Sequence, residues 1–378
     1  MAANTSARTG TVAVGLIGAG NISDTYLENL NSFPDIEVLI VGDLLPERAR
    51  AQAEKHGVAE SGSAADVLAH PGVEIVVNLT LPASHAAVSS AALAAGKHVW
   101  SEKPIGIDRE SASALLAQAD AAGLRVGIAP DTVLGPGIQS AKRAIERGDI
   151  GTPLFAQTGM QYAGPESFHP NPGFLFAYGA GPLFDMGPYY FTTLVSILGP
   201  VAAVAALGMK AREEREILVG ALAGTTFPVE VPSTISVLAS FERGATSQSF
   251  LSFDSPLTRQ GVVEISGTEG TIVLPDPNTF SGTTTIIRPR ERGSSEQVRV
   301  DVLEEGTVVG RGLGVLDMAR AIREGRPHRA TGELGYHVLD ILMSTAEAAE
   351  SGRFVPVDST VASPEAMPVD FDPLTRTL

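Results

Sequence analysis

The rhythm of apolar and polar positions changes once along this chain, near residue 150. Before that point, short unbroken apolar runs alternate with amphipathic stretches. Val12 to Ile17, Ile36 to Asp43, Val73 to Pro82, Lys97 to Trp100 and Leu124 to Pro130 each read as a strand buried on both faces, the second ending in an acid and the third running into a loop. Between them lie helical segments. PERARAQAEKHG has Pro46 in its first turn and Gly57 at its end, SAADVLAH is short, and SHAAVSSAALAAG and IDRESASALLAQADAAG are Ala-rich. Strand and helix alternate for about 120 residues, which predicts a parallel, doubly wound α/β sheet.

Beyond Gln139–Pro153, a helix stopped by Gly148 and the expected bridge between domains, the period shortens to two. LFAQTGMQY reads as a strand. In STISVLASFERGATSQSFLSF, Ile235, Val237, Ala239 and Phe241 point one way, and Arg243-Gly244 marks a hairpin turn. GVVEISGTEGTIVLPD and TTTIIRPR continue the short strands, and two helices follow, LGVLDMARAIREG and ELGYHVLDILMSTAEAAESG. The expected architecture is an N-terminal doubly wound domain over residues 11–131 and a mostly antiparallel α+β domain over 132–357. A disordered tail, 1–10, and an irregular segment, 358–378, flank them.

Composition narrows the function classes. With 378 residues, 44% of them hydrophobic, the chain holds enough apolar mass for two cores. No run of about 18 uncharged apolar residues predicts a membrane span. The opening MAANTSARTG lacks the apolar centre of a secretory signal. There are no cysteines, which excludes disulfides, thiolate metal sites and cysteine catalysis and fits a cytoplasmic location. The net charge of −16, with no cluster of Lys and Arg, argues against nucleic acid as a partner. No H-x-x-x-H or E-x-x-H spacing suggests a metal.

The first chemistry lies directly after the first strand. Gly18 allows a tight turn, Gly20 lets the backbone approach a pyrophosphate, and a helix beginning near Asn21 and Ile22 offers free N–H groups to phosphate oxygens. Ser23 stands at the third position of G-x-G-x-x-G, a small residue where the pattern has glycine. Asp43 ends the second strand 25 residues after Gly18, where a Rossmann unit places the acceptor for the adenosine ribose hydroxyls. Leu44 follows, not a cation, so NAD is expected over NADP. Thr80, Pro82, His85, Glu102, Lys103 and Asp131 also fall just past strand ends, where ligands of such sheets bind.

The combination of the glycine turn, LTLPxSH and AGKHVWSEKP resembles the Gfo/Idh/MocA oxidoreductases, over about Val12 to Val355. The resemblance implies NAD as cofactor, with Thr80, Pro82, His85 and Glu102 beside it. It implies that Lys103 reaches between nicotinamide and substrate hydroxyl, and that the Lys103-Pro104 peptide is often cis. His85 is equally readable as a helix-capping residue. The resemblance further implies that an exposed face of the second sheet forms subunit contacts, giving a homodimer or homotetramer.

The chemistry of the second half lies in ESFHPNPGFLFAYGAGPLFDMGPYYFTTLVSILG, Glu166 to Gly199. Apolar spacing from Phe184 onward predicts a helix with Asp185 near its start and Pro188 in its first turn. Asp185 and Tyr189, four apart, share a face. By pattern alone, an N-cap aspartate and a core tyrosine are the commoner meaning. The resemblance points the other way. Most relatives have D-[IM]-G-x-H, with the Asp on substrate and the His as acid/base. Here D-M-G-P-Y puts Tyr189 in the His place, as in the glucose–fructose oxidoreductase and dihydrodiol dehydrogenase branches. Tyrosine ionises near pH 10, so Tyr189 either transfers the proton with Lys103 lowering its pKa or only hydrogen-bonds the substrate; the first is favoured. Tyr162, His169 and Asp131 are further substrate candidates. Tyr190, about 100° around the helix, and His337 are expected to be structural.

These readings converge on hydride transfer between nicotinamide and a secondary alcohol or ketone of a sugar, sugar derivative or cyclitol, without a metal. Two others stay open. One is an NAD-recycling enzyme that cleaves glycosides by oxidation and elimination, with His169 as the extra base. The other is a non-catalytic ligand sensor, against which the intact Glu102-Lys103-Pro104 speaks.

Overall fold

The structure is a computed structural model that describes residues 9–291 and 293–378. It comprises two compact units. The first takes the chain up to Gly135 together with Gly306–Tyr336 and Met367–Leu378, and the second takes Pro136–Glu305 and His337–Ala366.

The first unit is built on β1 (Val12–Ile17), β2 (Ile36–Gly42), β3 (Glu60–Gly62), β4 (Ile75–Asn78), β5 (His98–Ser101) and β6 (Val126–Ile128). All neighbours are parallel, in the order β3-β2-β1-β4-β5-β6. The order reverses between β1 and β4, where Ile17 pairs with Asn78, so the carboxyl ends of these strands open a crevice. Connecting helices are α1 (Asn21–Leu30), α2 (Pro46–His56), α3 (Ala64–Ala69), α4 (His85–Ala94) and α5 (Arg109–Ala122). Local signals set their ends. Ser63 and Asp66 form a capping box on α3, and the Asp108 carboxylate accepts the Ser111 N–H at 2.7 Å to start α5. Gly57, at φ +68°, stops α2 as its position suggested.

The second unit carries α6 (Pro136–Glu146), β7 (Pro153–Gln161), α7 (Gly181–Leu198), β8 (Val201–Met209), β9 (Glu214–Glu216) and β10 (Thr226–Pro228). It continues with β11 (Thr234–Phe241), β12 (Thr246–Ser252), β13 (Arg259–Gly267), β14 (Thr271–Leu274), β15 (Thr284–Pro289) and β16 (Gln297–Val302). After them in the chain come α8 (Leu313–Glu324), which belongs to the first unit, α9 (Gly332–Ser351), which enters the second at His337, and β17 (Val355–Pro356). The nine-stranded sheet runs β16-β15-β14-β13-β7-β12-β11-β8-β17. It is antiparallel except where β12 lies parallel to β7. Ile235, Val237, Ala239 and Phe241 are all buried, as their alternation predicts, and α7 packs on β7, β11 and β12. β9 and β10 form a separate two-stranded arm that the periodicity did not reveal.

Three expectations are corrected. The helix of the DMGPYY segment starts at Gly181 with Pro182 in its first turn, so Pro188 lies inside it and Asp185 is no N-cap. A contiguous division at residue 131 also fails, because α8 and the chain end return to the first unit. Gly314, at the start of α8, sits so close to the Trp100 ring that a Cβ would overlap it. Arg320 of α8 pairs with buried Asp35 at 2.8 Å, and Arg323 grips the Glu74 carboxylate at 2.7 Å and the Gly10 carbonyl at 2.9 Å. The end of the chain has no helix or strand, as expected, but it is anchored. Arg320 donates to the carbonyls of Asp372 and Thr375, and the Asp35 carboxylate accepts the N–H of Thr377 and Leu378. Of the expected 1–10 tail, residues 1–8 lie outside the described residues. Among the described residues, no helix is long and apolar enough to cross a membrane.

Candidate active site

The turn after β1 separates two kinds of glycine. Gly18 has φ +109°, and a Cβ there would lie 2.6 Å from the Leu79 carbonyl oxygen. Its missing side chain is demanded by the fold itself, through close approach to the end of β4. Gly20 has an ordinary φ of −82°, and nothing lies within 4 Å of the place its Cβ would take. That space is open in front of Asn21 and Ile22, the first residues of α1, whose N-terminus has no side-chain cap. An uncapped helix end with a vacant Cβ site fits a pyrophosphate, which the N–H dipoles would attract. Ser23 is buried and its hydroxyl donates to the Gly20 carbonyl at 2.6 Å, holding the turn from beneath. The Asp43 carboxylate ties the loops together, accepting the N–H of Ala19 at 2.7 Å and of Leu45 at 2.9 Å. It is only half-buried, and Leu44 beside it is exposed.

At the ends of β4 and β5 the loops are joined by a buried polar network. The Asn78 side-chain amide donates to the His85 carbonyl and the Ser89 hydroxyl, both at 3.0 Å, and accepts the Thr80 hydroxyl at 2.7 Å. His85, 1% exposed, is the first residue of α4 but does not cap it. Its Nδ1 faces the Pro104 carbonyl at 2.7 Å and its Nε2 the Thr80 carbonyl at 2.9 Å. Burial lowers its pKa, and a neutral ring donates to only one of the two. The helix-capping expectation for His85 is corrected. Its ring nitrogens serve main chain and bridge the loops after β4 and β5. The Lys103-Pro104 peptide is cis, in keeping with the resemblance. Glu102 accepts the Lys103 N–H at 3.2 Å and the Tyr26 hydroxyl at 2.9 Å, and Tyr26 in turn accepts the Trp100 indole N–H at 3.2 Å. The α1 tyrosine thus reaches under the sheet edge to the residue before Lys103. The sequence reading missed it, because nothing in its apolar position on α1 distinguishes it from an ordinary core residue.

Asp131 is corrected as a substrate candidate. It is 0% exposed, and its Oδ2 accepts the N–H of Gly312 at 2.8 Å and of Gly314 at 3.0 Å, at the start of α8. Burial pushes its pKa up to about 6, against these two donors and Arg311. Its work is to fasten α8 to the end of β6.

In the second unit, α7 presents Asp185 half-buried and Tyr189 buried on one side. Tyr190 is structural, as expected: its oxygen accepts the Gly261 N–H at 3.0 Å. So is His337, whose Nε2 accepts the Val201 N–H at 3.0 Å and whose Nδ1 pairs with the Ser359 hydroxyl. Tyr162 is close enough to Asp185 and Glu166 for their charges to raise its pKa, although burial is the larger cause. His169 is half-exposed, accepts the Asn171 N–H at 3.1 Å and meets the edge of Phe174, centroids 5.4 Å apart. The structure therefore gathers Gly18, Gly20, Asn21, Ile22, Asp43, Thr80, Pro82, His85, Glu102 and Lys103 at the carboxyl edge of one sheet. It brings Tyr162 near Asp185 in the other unit.

Two family models match this chain. Residues 12–129 match an oxidoreductase family with an NAD-binding Rossmann fold, and residues 138–273 match the GFO/IDH/MocA C-terminal domain. The chain belongs to the Gfo/Idh/MocA oxidoreductases. Among curated relatives, a trans-1,2-dihydrobenzene-1,2-diol dehydrogenase of Sus scrofa is 26% identical over 70% of this chain and 74% of its own. The scyllo-inositol 2-dehydrogenase (NAD(+)) of Bacillus subtilis is 28% identical over 44% of this chain and 49% of its own. With the latter, and with the uncharacterized oxidoreductase YrbE of the same organism (42% of its length), the match spans about half the relative. The fold is shared with a levoglucosan dehydrogenase solved with NADH and L-sorbose, at TM-score 0.81 and 22% identity over 92% of this chain and 99% of that one.

Proposed function

We propose that this Gfo/Idh/MocA protein is an NAD-dependent dehydrogenase or reductase acting on a secondary alcohol or ketone of a sugar, sugar derivative or cyclitol. One observation carries the reading. The carboxyl edge of the parallel sheet carries an uncapped helix end with open space at Gly20 after β1, a ribose-type carboxylate at Asp43 after the neighbouring β2, and a lysine at Lys103 after β5. NAD supplies the hydride acceptor when bound. Gly18, Gly20, Asn21, Ile22 and Asp43 hold its adenosine and phosphates, and Thr80, Pro82, His85 and Glu102 shape the nicotinamide end. The Lys103 ammonium stabilises negative charge developing on the substrate oxygen. Tyr189 takes the proton in the place most relatives give to histidine, and Asp185 orients the hydroxyls, with Tyr162 and His169 as further substrate contacts. The Tyr branch is supported by the likeness to the dihydrobenzenediol dehydrogenases, and the substrate class by relatives named for inositol and levoglucosan. Asp43 without a neighbouring cation favours NAD over NADP.

A second copy of the chain is the proposed partner of the open face of the nine-stranded sheet, which exposes Phe155, Leu207, Leu238 and Phe354. The deciding experiment is a panel of myo-inositol, levoglucosan, aldoses and aryl glycosides with NAD and with NADP, followed at the nicotinamide absorbance. NADH formed from a polyol is the expected result. Glycoside cleavage without net NADH would move the assignment to the NAD-recycling reaction, and silence with every compound would overturn both.

A further inference from the structure

Arg215, on β9, is 5% exposed, in an arm whose Leu218 and Leu222 lie in solvent. Its Nη1 meets Glu166 Oε1 at 2.9 Å and Oε2 at 3.0 Å. Its Nη2 meets Asp254 Oδ1 at 2.8 Å and the Phe253 carbonyl at 2.9 Å. The guanidinium lies over the Phe176 ring, 5.0 Å from its centroid. Asp254 is itself held, accepting the hydroxyls of Ser233 at 2.6 Å and Thr234 at 2.8 Å. Three segments far apart in sequence thus meet at one cation: the β9 arm, the end of β12 and the stretch after β7. The backbone has been shaped to admit it. Gly164 has φ +111°, and a Cβ there would overlap both Nη1 and the Glu166 carboxylate.

What the cation holds is the stretch from Tyr162 to Ala180, which joins β7 to α7 and has no place in the sheet. It carries Tyr162 and His169 and exposes three aromatic rings, Phe168 at 64%, Phe174 at 43% and Tyr178 at 72%. A stretch with so much apolar surface in water needs fixing from behind. Arg215 supplies this through Glu166 and Phe176, and Glu230 adds to it, its N–H donating to the Phe176 carbonyl at 2.9 Å and its carboxylate accepting the Tyr178 N–H at 3.1 Å. Tyr162 rests on Phe253, centroids 5.2 Å apart, next to the Arg215 contact.

We propose that Arg215, clamped between Glu166 and Asp254, is the positioning residue of a substrate-recognition segment, Tyr162–Ala180, and so sets affinity for the polyol without touching it. This rests on the functional reading above. Burial of a cation between two carboxylates is retained only where removing it is costly, since either carboxylate alone would be left buried and unpaired. The planar fork also matters, because a lysine ammonium cannot bond Glu166, Asp254 and a carbonyl in one plane.

The test uses the full chain with Arg215→Met and Arg215→Lys. Three quantities are read: KM and kcat for myo-inositol and levoglucosan, NADH affinity by energy transfer from Trp100, the single tryptophan, and the rate of chymotrypsin cleavage mapped to Phe168, Phe174 and Tyr178. For Arg215→Met the expectation is a KM raised about tenfold with kcat changed less, faster cleavage in the segment, and an NADH Kd within about twofold. Arg215→Lys should recover part of both effects. If Arg215→Met does not fold, Glu166→Gln carries the test, with a smaller rise of about threefold. Unchanged KM and cleavage overturn the proposal, as does an NADH Kd that worsens in step with KM. A wild-type protein inert to every polyol defeats the functional reading instead, and the cleavage comparison then decides the clamp alone.

Discussion

At the carboxyl edge of the parallel sheet, main chain supplies most of what a ligand would meet: the glycine turn, the first N–H groups of α1, and the loops on either side of His85. In the second unit, the contacts proposed above are side chains. Asp185, Tyr189, Tyr162 and His169 stand on a helix and a long connection, and a buried cation fixes that connection. The first arrangement suits a cofactor with a repeated chemical shape, since backbone geometry tolerates few changes. The second suits a substrate surface that varies, because a clamp lying behind the segment leaves the residues in front of it free to change.

The largest effect should come from the one side chain of the sheet edge proposed to meet the reacting oxygen. Lys103→Met should lower kcat by about 10²–10⁴-fold while NADH still quenches Trp100. A variant within tenfold of wild type would remove lysine from the chemistry and leave the edge a purely main-chain device. Next come the two glycines, which test that device directly. Gly18→Ala should destabilise the fold by about 2–4 kcal/mol, because φ +109° is strained for any other residue and Leu79 blocks the Cβ. Gly20→Ala should leave the melting temperature unchanged and weaken NADH binding at least about tenfold, its Cβ standing where the phosphates approach. Equal thermal losses in both variants would break the distinction between a glycine the fold needs and one the ligand needs.

Adjacent tyrosines on α7 give the matching pair in the other unit. Tyr190→Phe should cost about 1 kcal/mol by orphaning the Gly261 N–H, with turnover kept. Tyr189→Phe should keep the fold and lose turnover by about 10²-fold at neutral pH. If the two lose turnover alike, α7 serves only as scaffold.

How much could be read beforehand follows the same division. Gly18, Gly20, Asp43 and Glu102-Lys103-Pro104 were legible because backbone geometry is encoded in contiguous residues, and parallel βα units repeat it. The clamp was not. Glu166, Arg215 and Asp254 are 49 and 39 residues apart, and each alone looks like a surface charge. The β9–β10 arm that carries Arg215 is two strands of three residues, too short to show a period. Pro188 misled for a different reason. Proline commonly marks a first turn, yet here Pro182 does so and Pro188 sits inside a helix packed on β7, β11 and β12. The return of α8 to the first unit was also hidden, since it depends on Gly314 against Trp100 and on Asp131, neither of which announces a partner about 180–210 residues away.

Asp131 supplies the most exacting test, because it separates a carboxylate that serves substrate from one that serves the fold. Its folded pKa, about 6, lies above the ordinary 3.8. A raised carboxyl pKa means that the native state holds the proton more tightly than the unfolded chain. Its contribution to stability is therefore full below about pH 4 and is lost as pH rises towards about 6, after which it stays constant. Asp131→Asn cannot titrate, yet its side-chain oxygen still accepts from Gly312 and Gly314. Its stability relative to wild type should thus climb by roughly 1–3 kcal/mol between pH 4 and pH 6.5, with substrate KM unaffected. Urea unfolding of both proteins across that range measures the difference. Parallel curves would show that the two N–H donors and Arg311 outweigh burial. A raised KM would return Asp131 to the substrate, against its complete burial and its hold on α8.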